Sequence, residues 1–286
     1  MGKHSAVVRD ISYSTTAKTR RGRIMIRAVE NATGRLRLIR RAKGYENEIT
    51  PDRDFWKVMT ERYDLTLELM SGSLDNIPRT GPLILISNHP YGILDGLMMG
   101  SILSQTRDDF RILAHRIFQK AEDINKVILP ISFDEDRAAL KLNLQTRKTA
   151  LNYLGQGGAI GIFPGGSVSS SRRPFGVPMD PGWRTFTAKM IAKSGATVVP
   201  IYFEGSNSRL FQMCGHLNLT LRTALLIKEF KRRVGAPVRI AVGEPLARNQ
   251  LQKHASDPAA MMEYLRRQTY ALSPEPVNCN IYGKDF

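Results

Sequence analysis

The segment Ser87–Asn88–His89–Pro90–Tyr91–Gly92–Ile93–Leu94–Asp95–Gly96 places an imidazole and a carboxylate on either side of a Pro/Gly turn. An imidazole titrates near ~6.5 in water, so at neutral pH its free nitrogen can take a proton from a hydroxyl. A carboxylate on the other ring nitrogen fixes the tautomer and steadies the cation that forms. A histidine beside a strand is more often a packed or capping residue. Here it comes with Asn88, Asp95 and a Pro-Tyr-Gly turn, and the combination points to general-base chemistry by His89 with Asp95. Six residues of straight helix would hold the two α-carbons ~9 Å apart, so the chain must bend at Gly92 for the side chains to meet.

A second group of candidates is Gly161–Ile162–Phe163–Pro164–Gly165–Gly166–Ser167–Val168–Ser169. Glycines leaving a strand let backbone N–H groups approach an anion or an oxyanion, although a plain strand-ending turn has the same composition. Two motifs fail here. Ser167 is not in G-x-S-x-G, because Ser169 occupies the last position. Gly155–Gln156–Gly157–Gly158 lacks the third glycine of a dinucleotide loop, since Ile160 sits there. In Phe133–Asp134–Glu135–Asp136–Arg137, Arg137 can hold a phosphate or carboxylate through its planar fork, or simply pair with the acids of a helix start. Val199–Pro200–Ile201–Tyr202–Phe203–Glu204–Gly205–Ser206–Asn207 reads as a strand ending in a Gly turn, mainly structural. Arg172, Arg173, Lys189 and Lys193 flank the glycine-rich loop as a steering or a solvated face.

Positioning such groups requires a framework. Apolar runs predict strands at Pro82–Ser87, Phe110–Ala114, Ile128–Ser132, Ala159–Phe163, Thr197–Phe203 and Val238–Val242. Leu65, Leu67 and Leu69 alternate as in a half-buried strand. Helical patterns lie at Asp54–Tyr63, Asp95–Ser104, Asp134–Leu154, Trp183–Ser194, Leu217–Val234 and 257–272. The alternation predicts an α/β domain with a central mixed sheet flanked by helices.

The net charge is +16 on 286 residues, with 42% hydrophobic composition. That composition excludes bulk disorder, and the charge seeks anionic partners. Residues 1–50 carry twelve Lys/Arg against four Asp/Glu, half of the net charge. Met25, Val29, Ala32, Leu36 and Ile39 recur there at spacings of three and four among arginines, which predicts a basic amphipathic helix or helical pair interrupted at Gly34. Cys214 and Cys279 fit no CxxC pattern, so reduced thiols and no metal are expected. No stretch approaches the ~18 apolar residues of a membrane span, and the N-terminus lacks a signal-peptide core.

Taken in order, these segments resemble the glycerolipid acyltransferase superfamily, which includes the 1-acylglycerol-3-phosphate acyltransferases. That family carries an Asn-His…Asp block, an Arg-bearing block, a Phe-Pro-x-Gly block and a Val-Pro…Gly block, matched here at 88–95, 131–137, 163–169 and 199–205. The resemblance covers roughly residues 65 to 245. Two departures stand out. Five residues lie between His89 and Asp95 where the family usually has four, and Gly165 replaces the usual Glu. With the run Asn207–Ser208–Arg209–Leu210–Phe211, they look more like the hemolysin-named branch, which includes bacterial enzymes that O-acylate lyso-aminolipids such as lyso-ornithine lipid.

The resemblance implies an O-acyltransferase that moves a fatty acyl group from an acyl thioester of acyl carrier protein or coenzyme A to a lysolipid hydroxyl. A lyso-aminolipid and lysophosphatidic acid are the candidate acceptors. It implies catalysis by His89 and Asp95, and substrate contacts from Asn88, Arg137, Phe163, Pro164, Gly165, Gly166, Ser167 and Ser169, with no cofactor. Residues 1–50 are expected to dock on anionic membrane lipid and 51–286 to form the acyltransferase domain, peripheral on the cytoplasmic face. The competing readings are a basic nucleic-acid- or lipid-binding protein without catalysis and a serine hydrolase. No zinc spacing, RNP-like aromatic pair or helix-turn-helix supports nucleic acid, and no serine elbow supports the hydrolase.

Overall fold

The apolar runs fold into strands and the amphipathic stretches between them into helices, in a computed structural model describing residues 12–17, 19–116, 118, 122–132, 134 and 136–285. The strands are β1 (Thr66–Ser71), β2 (Leu83–Ser87), β3 (Phe110–His115), β4 (Ile128–Ile131), β5 (Ala159–Ile162), β6 (Ser170–Ser171), β7 (Pro178–Met179), β8 (Thr197–Phe203) and β9 (Pro237–Val242). Seven of them form one sheet in the order β1-β9-β8-β2-β5-β3-β4, while β6 and β7 pair separately. Every neighbouring pair in the large sheet is parallel except β8 and β9. Parallel neighbours cannot be joined by a tight hairpin, which is why helices alternate with strands along the chain.

Helices cover both faces of the sheet. β2 is buried along its whole length: Leu83 and Leu85 face one apolar cluster and Ile84 and Ile86 the other. Its unbroken apolar run follows from that double coverage. On the first face lie α3 (Phe55–Arg62), α4 (Ile93–Thr106) and α8 (Leu219–Arg233), which contribute Trp56, Met98 and Ile227. On the second lie α5 (Arg137–Gly155), α6 (Phe186–Ser194), α9 (Arg248–Lys253) and α10 (Pro258–Tyr270), with Ala150, Met190, Leu251 and Leu265. This is the expected α/β architecture, a mixed sheet between helical layers.

The basic N-terminal segment is a helical pair, α1 (Arg20–Thr33) and α2 (Arg35–Ala42), broken at Gly34, and α1 packs against α8. Its inward face differs from the predicted one. Ile26 and Glu30 of α1 and Leu38 and Ala42 of α2 are buried. Met25, Ala32 and Leu36 turn outward, and Val29 and Ile39 are half-buried. The physical reason is Glu30, whose carboxylate accepts from Ser12 Oγ at 2.5 Å and from the Tyr13 N–H at 2.7 Å. Those two donors let a polar residue hold an inward position that hydropathy assigns to an apolar one. Residues 1–11 and 18 of this segment lie outside the described residues.

A further helix, α7 (Arg209–Leu217), follows the predicted Gly turn, in a stretch to which the sequence pattern assigned no element. Ser208 starts it: its Oγ accepts from the Phe211 N–H at 3.3 Å and donates to buried Glu229 of α8. Among the described residues, no helix is long and apolar enough to cross a membrane.

Candidate active site

The three central strands β8, β2 and β5 are adjacent and mutually parallel, so their carboxyl ends open side by side. In open α/β sheets that edge is where ligands bind. β2 delivers Asn88 and His89, β5 delivers Phe163 to Gly166, and β8 delivers Glu204 and Gly205.

His89 Nδ1 lies 3.0 Å from Asp95 Oδ2. The bend that allows this falls at Gly92, with φ +88° and ψ −105°, a conformation that a side chain would strain. α4 begins at the next residue, so Asp95 stands in its first turn. There Oδ2 also accepts from the Tyr91 N–H at 2.8 Å and the Gly92 N–H at 2.9 Å. Those donors keep the carboxylate aimed at the ring. Asp95 is fully buried, whereas the His89 side chain keeps 17% exposure. The imidazole stacks on Phe163, with ring centroids 4.2 Å apart and planes 27° from parallel. Nδ1 is buried and forms no aligned hydrogen bond among the described residues, its nearest carboxylate oxygen being that of Asp95, so Nε2 is the nitrogen left for a substrate.

Several of the residues expected at the substrate also make hydrogen bonds within the protein. Asn88 is engaged at both ends: Nδ2 donates to the Phe203 carbonyl at 2.8 Å, and Oδ1 accepts from the Phe203 N–H at 2.7 Å. It staples β2 to β8 and is buried. The Ser169 N–H donates to the His89 carbonyl at 2.8 Å, and its hydroxyl donates to Asp180 Oδ1 at 2.5 Å. Pro164 accepts at its carbonyl from the Arg184 N–H, holding the loop after β5.

Asp180 is the residue that sequence reasoning missed. It is fully buried, and its Oδ1 accepts from the His89 N–H at 3.1 Å while its Oδ2 accepts from Trp183 Nε1 at 2.9 Å. Burial pushes its carboxyl above the usual range, against the pull of Ser169, Trp183 and the His89 amide. Gly165 packs beside it, where a Cβ would stand 3.4 Å from the carboxylate. An acid followed by Pro181–Gly182–Trp183 ahead of a helix was the available signal, but its partner lies 91 positions away.

The glycine-rich loop offers fewer oxyanion donors than its composition suggested. The Gly166 N–H donates to the Phe163 carbonyl at 3.0 Å, closing a turn. The Tyr91 and Gly92 N–H groups at the start of α4 are held by Asp95. Ser167 Oγ, in contrast, is buried and has no hydrogen-bond partner among the described residues. Arg222 braces the loop from below: Nη2 donates to the Val168 carbonyl at 2.8 Å, and burial lowers its pKa to about 10.

Arg137 stands apart. It is the exposed first residue of α5, after edge strand β4, three strand places from β2 or roughly 14 Å across the sheet. Among the described residues, no hydrogen bond or ion pair joins it to His89 or Asp95. Phe133 and Glu135 of the same block lie outside the described residues.

The sequence matches the acyltransferase family over residues 36–276. The chain belongs to that family. Two relatives of this acyltransferase are bacterial proteins named lyso-glycine lipid O-acyltransferase. That of Phocaeicola vulgatus is 27% identical over 230 residues, covering 77% of each chain. That of Bacteroides thetaiotaomicron is 26% identical over 233 residues, covering 77% of this acyltransferase and 79% of the relative. The crystal structure of the 1-acyl-sn-glycerophosphate (LPA) acyltransferase PlsC from Thermotoga maritima aligns over 93% of this chain and 87% of its own. Its identity is 15% and its TM-score 0.47.

Proposed function

We propose that this acyltransferase moves a fatty acyl group from an acyl thioester, carried by acyl carrier protein or coenzyme A, to the hydroxyl of a lysolipid. The acceptor is a lyso-aminolipid, whose headgroup is an amino acid amide-linked to a 3-hydroxy fatty acyl chain. The observation that carries the chemistry is the His89 Nδ1 to Asp95 Oδ2 approach of 3.0 Å at the open end of β2. The two lyso-glycine lipid O-acyltransferases similar to most of this chain support the acceptor class.

His89 Nε2 takes the proton from the acceptor hydroxyl as that oxygen attacks the thioester carbonyl carbon. Asp95 steadies the imidazolium through Nδ1–H. The carbon–sulfur bond then breaks, and the proton passes from His89 to the departing thiolate. No acyl-enzyme forms, so no serine nucleophile is needed. The Ser167 hydroxyl, buried and uncommitted, donates to the oxyanion. Phe163 holds the ring face, and Arg137 attracts an anionic headgroup toward the sheet edge without touching the reacting atoms. The N-terminal helical pair, with Ile24, Met25 and Leu36 exposed among arginines, docks the enzyme on anionic lipid.

The test offers lyso-glycine lipid, lyso-ornithine lipid and lysophosphatidic acid together, with acyl thioester, and identifies the product by mass spectrometry. Diacylated aminolipid is expected as the main product. Phosphatidic acid alone would overturn the acceptor assignment.

A further inference from the structure

Beyond α1 and α2, a second exposed surface has the chemistry of a lipid interface. In the β6–β7 hairpin loop, all six residues from Arg172 to Val177 are exposed. Phe175 at its tip is 74% exposed and Val177 58%. Phe175 also holds a left-handed backbone, φ +62°, which is rare for a bulky residue and turns this aromatic ring outward at the cost of local strain. Facing the loop is α7, whose Leu210, Met213 and Leu217 share one side of the helix at spacings of three and four and are all exposed, Leu217 by 79%. Leu219, at the start of α8, is exposed as well.

The loop and the helix are one surface. Phe175, Val177 and Met213 line a common cleft of about 280 Å³. Arg209 at the start of α7 lines it, and Arg172 and Arg173 on the same loop are exposed. The far end meets the N-terminal pair, where Gly22 of α1 lies against Thr220, so Leu219 adjoins the arginine-rich start of α1. The surface is also wired to the site behind it. Gln212 of α7 accepts from the Ser171 N–H at 2.9 Å and donates to the Ser169 carbonyl, and Ser169 in turn holds His89.

We propose that this face, Phe175 and Val177 with the outer row of α7, inserts into the headgroup and acyl boundary of an anionic bilayer. Its occupant is the lipid leaflet itself. Large apolar side chains projecting singly past a ring of arginines match a medium that is apolar inside and negative at its surface. An acidic carrier protein would use the arginines and leave Phe175 and Leu217 in water. The proposal rests on the lysolipid reading above and goes beyond it, because it extends insertion from the N-terminal segment alone to a face hydrogen-bonded to the His89 loop.

The experiment is sedimentation of the full chain with vesicles of phosphatidylcholine, with and without equimolar phosphatidylglycerol. The double variant Phe175→Ser, Leu217→Ser is compared with the parent. Both residues are exposed, so folding, checked by thermal melting, is expected to be unchanged. Partitioning onto the anionic vesicles is expected to fall at least about tenfold. Turnover of a short-chain, monomeric acceptor is expected to stay at the parent level. Unchanged sedimentation of the variant overturns the proposal. So does a variant that binds vesicles normally but needs far more acyl carrier protein to reach the same rate, which would assign the face to the carrier. Sedimentation does not require turnover, so a wrong acceptor would leave this result readable.

Discussion

The exit of β2 and the hairpin between β6 and β7 are only about eighty residues apart in the chain and joined through Ser169, yet they are built in opposite ways. At the exit of β2 the backbone and side chains are braced from within: Asn88 by Phe203, the His89 amide by Asp180, Asp95 Oδ2 by two backbone N–H groups. At the hairpin, charges and apolar side chains alike stand in solvent. A proton-transfer site needs fixed geometry within a fraction of an ångström. A lipid-facing surface needs apolar groups whose own fold gives them nothing to pack against. On the reading proposed above, rigidity and exposure mark two tasks of one enzyme, chemistry and access.

The sharpest way to break the comparison is to loosen the rigid side. Asp180→Asn replaces an acceptor-only carboxylate with an amide whose NH₂ must face either the His89 N–H or the Trp183 indole N–H. A lost or opposed buried hydrogen bond costs about 1–3 kcal/mol. Turnover is expected to fall about tenfold to a hundredfold as the His89 loop shifts. The pH dependence separates this from generic damage. Because Asp180 has a raised pKa in the folded protein, the native state binds its proton more tightly than the unfolded chain does. That stability is present below the unfolded pKa and is lost as pH rises through the folded one. Asparagine does not titrate, so the stability gap between parent and variant should be widest at acidic pH and narrow as pH rises. Urea melts across that range measure it, and a gap that widens with pH would contradict the assignment.

Arg137→Ala is expected to be the mildest change. The residue is exposed at the sheet edge and bonded to neither member of the pair. Initial-rate kinetics should show KM for the acceptor rising a few-fold with kcat unchanged, the pattern of an interaction equal in ground and transition states. A large loss of kcat would place Arg137 at the reacting atoms and redraw the boundary between the two regions.

Much of this was legible in the sequence, for physical reasons. A strand buried on both faces must be an apolar run, so β2, β5 and β8 announced themselves, and β8 keeps its predicted limits, Thr197 to Phe203. The bend at Gly92 followed from helix rise alone. What stayed hidden were contacts set by tertiary placement. The inward face of α1 depends on Glu30 finding Ser12 and Tyr13, and no hydropathy pattern shows that. Asp180 reads as an ordinary turn acid until the fold brings it under His89. Asn88 and Ser169 carried the right residue types for substrate contacts, and the bonds they make to Phe203 and Asp180 could not be read from the sequence. The start of α7 was masked because Gly205 and Asn207 look like the middle of a loop, whereas Ser208 is a helix cap.

The central claim is that one imidazole, oriented by Asp95, removes the acceptor's proton. The most direct measurement is kcat/KM of His89→Ala with lysolipid and acyl thioester, alongside thermal melting to show that the variant is folded. A loss of about 10²–10⁴-fold, with the melting transition retained, is the predicted result. Acyl transfer at the parent rate by a folded protein that lacks the imidazole would contradict it.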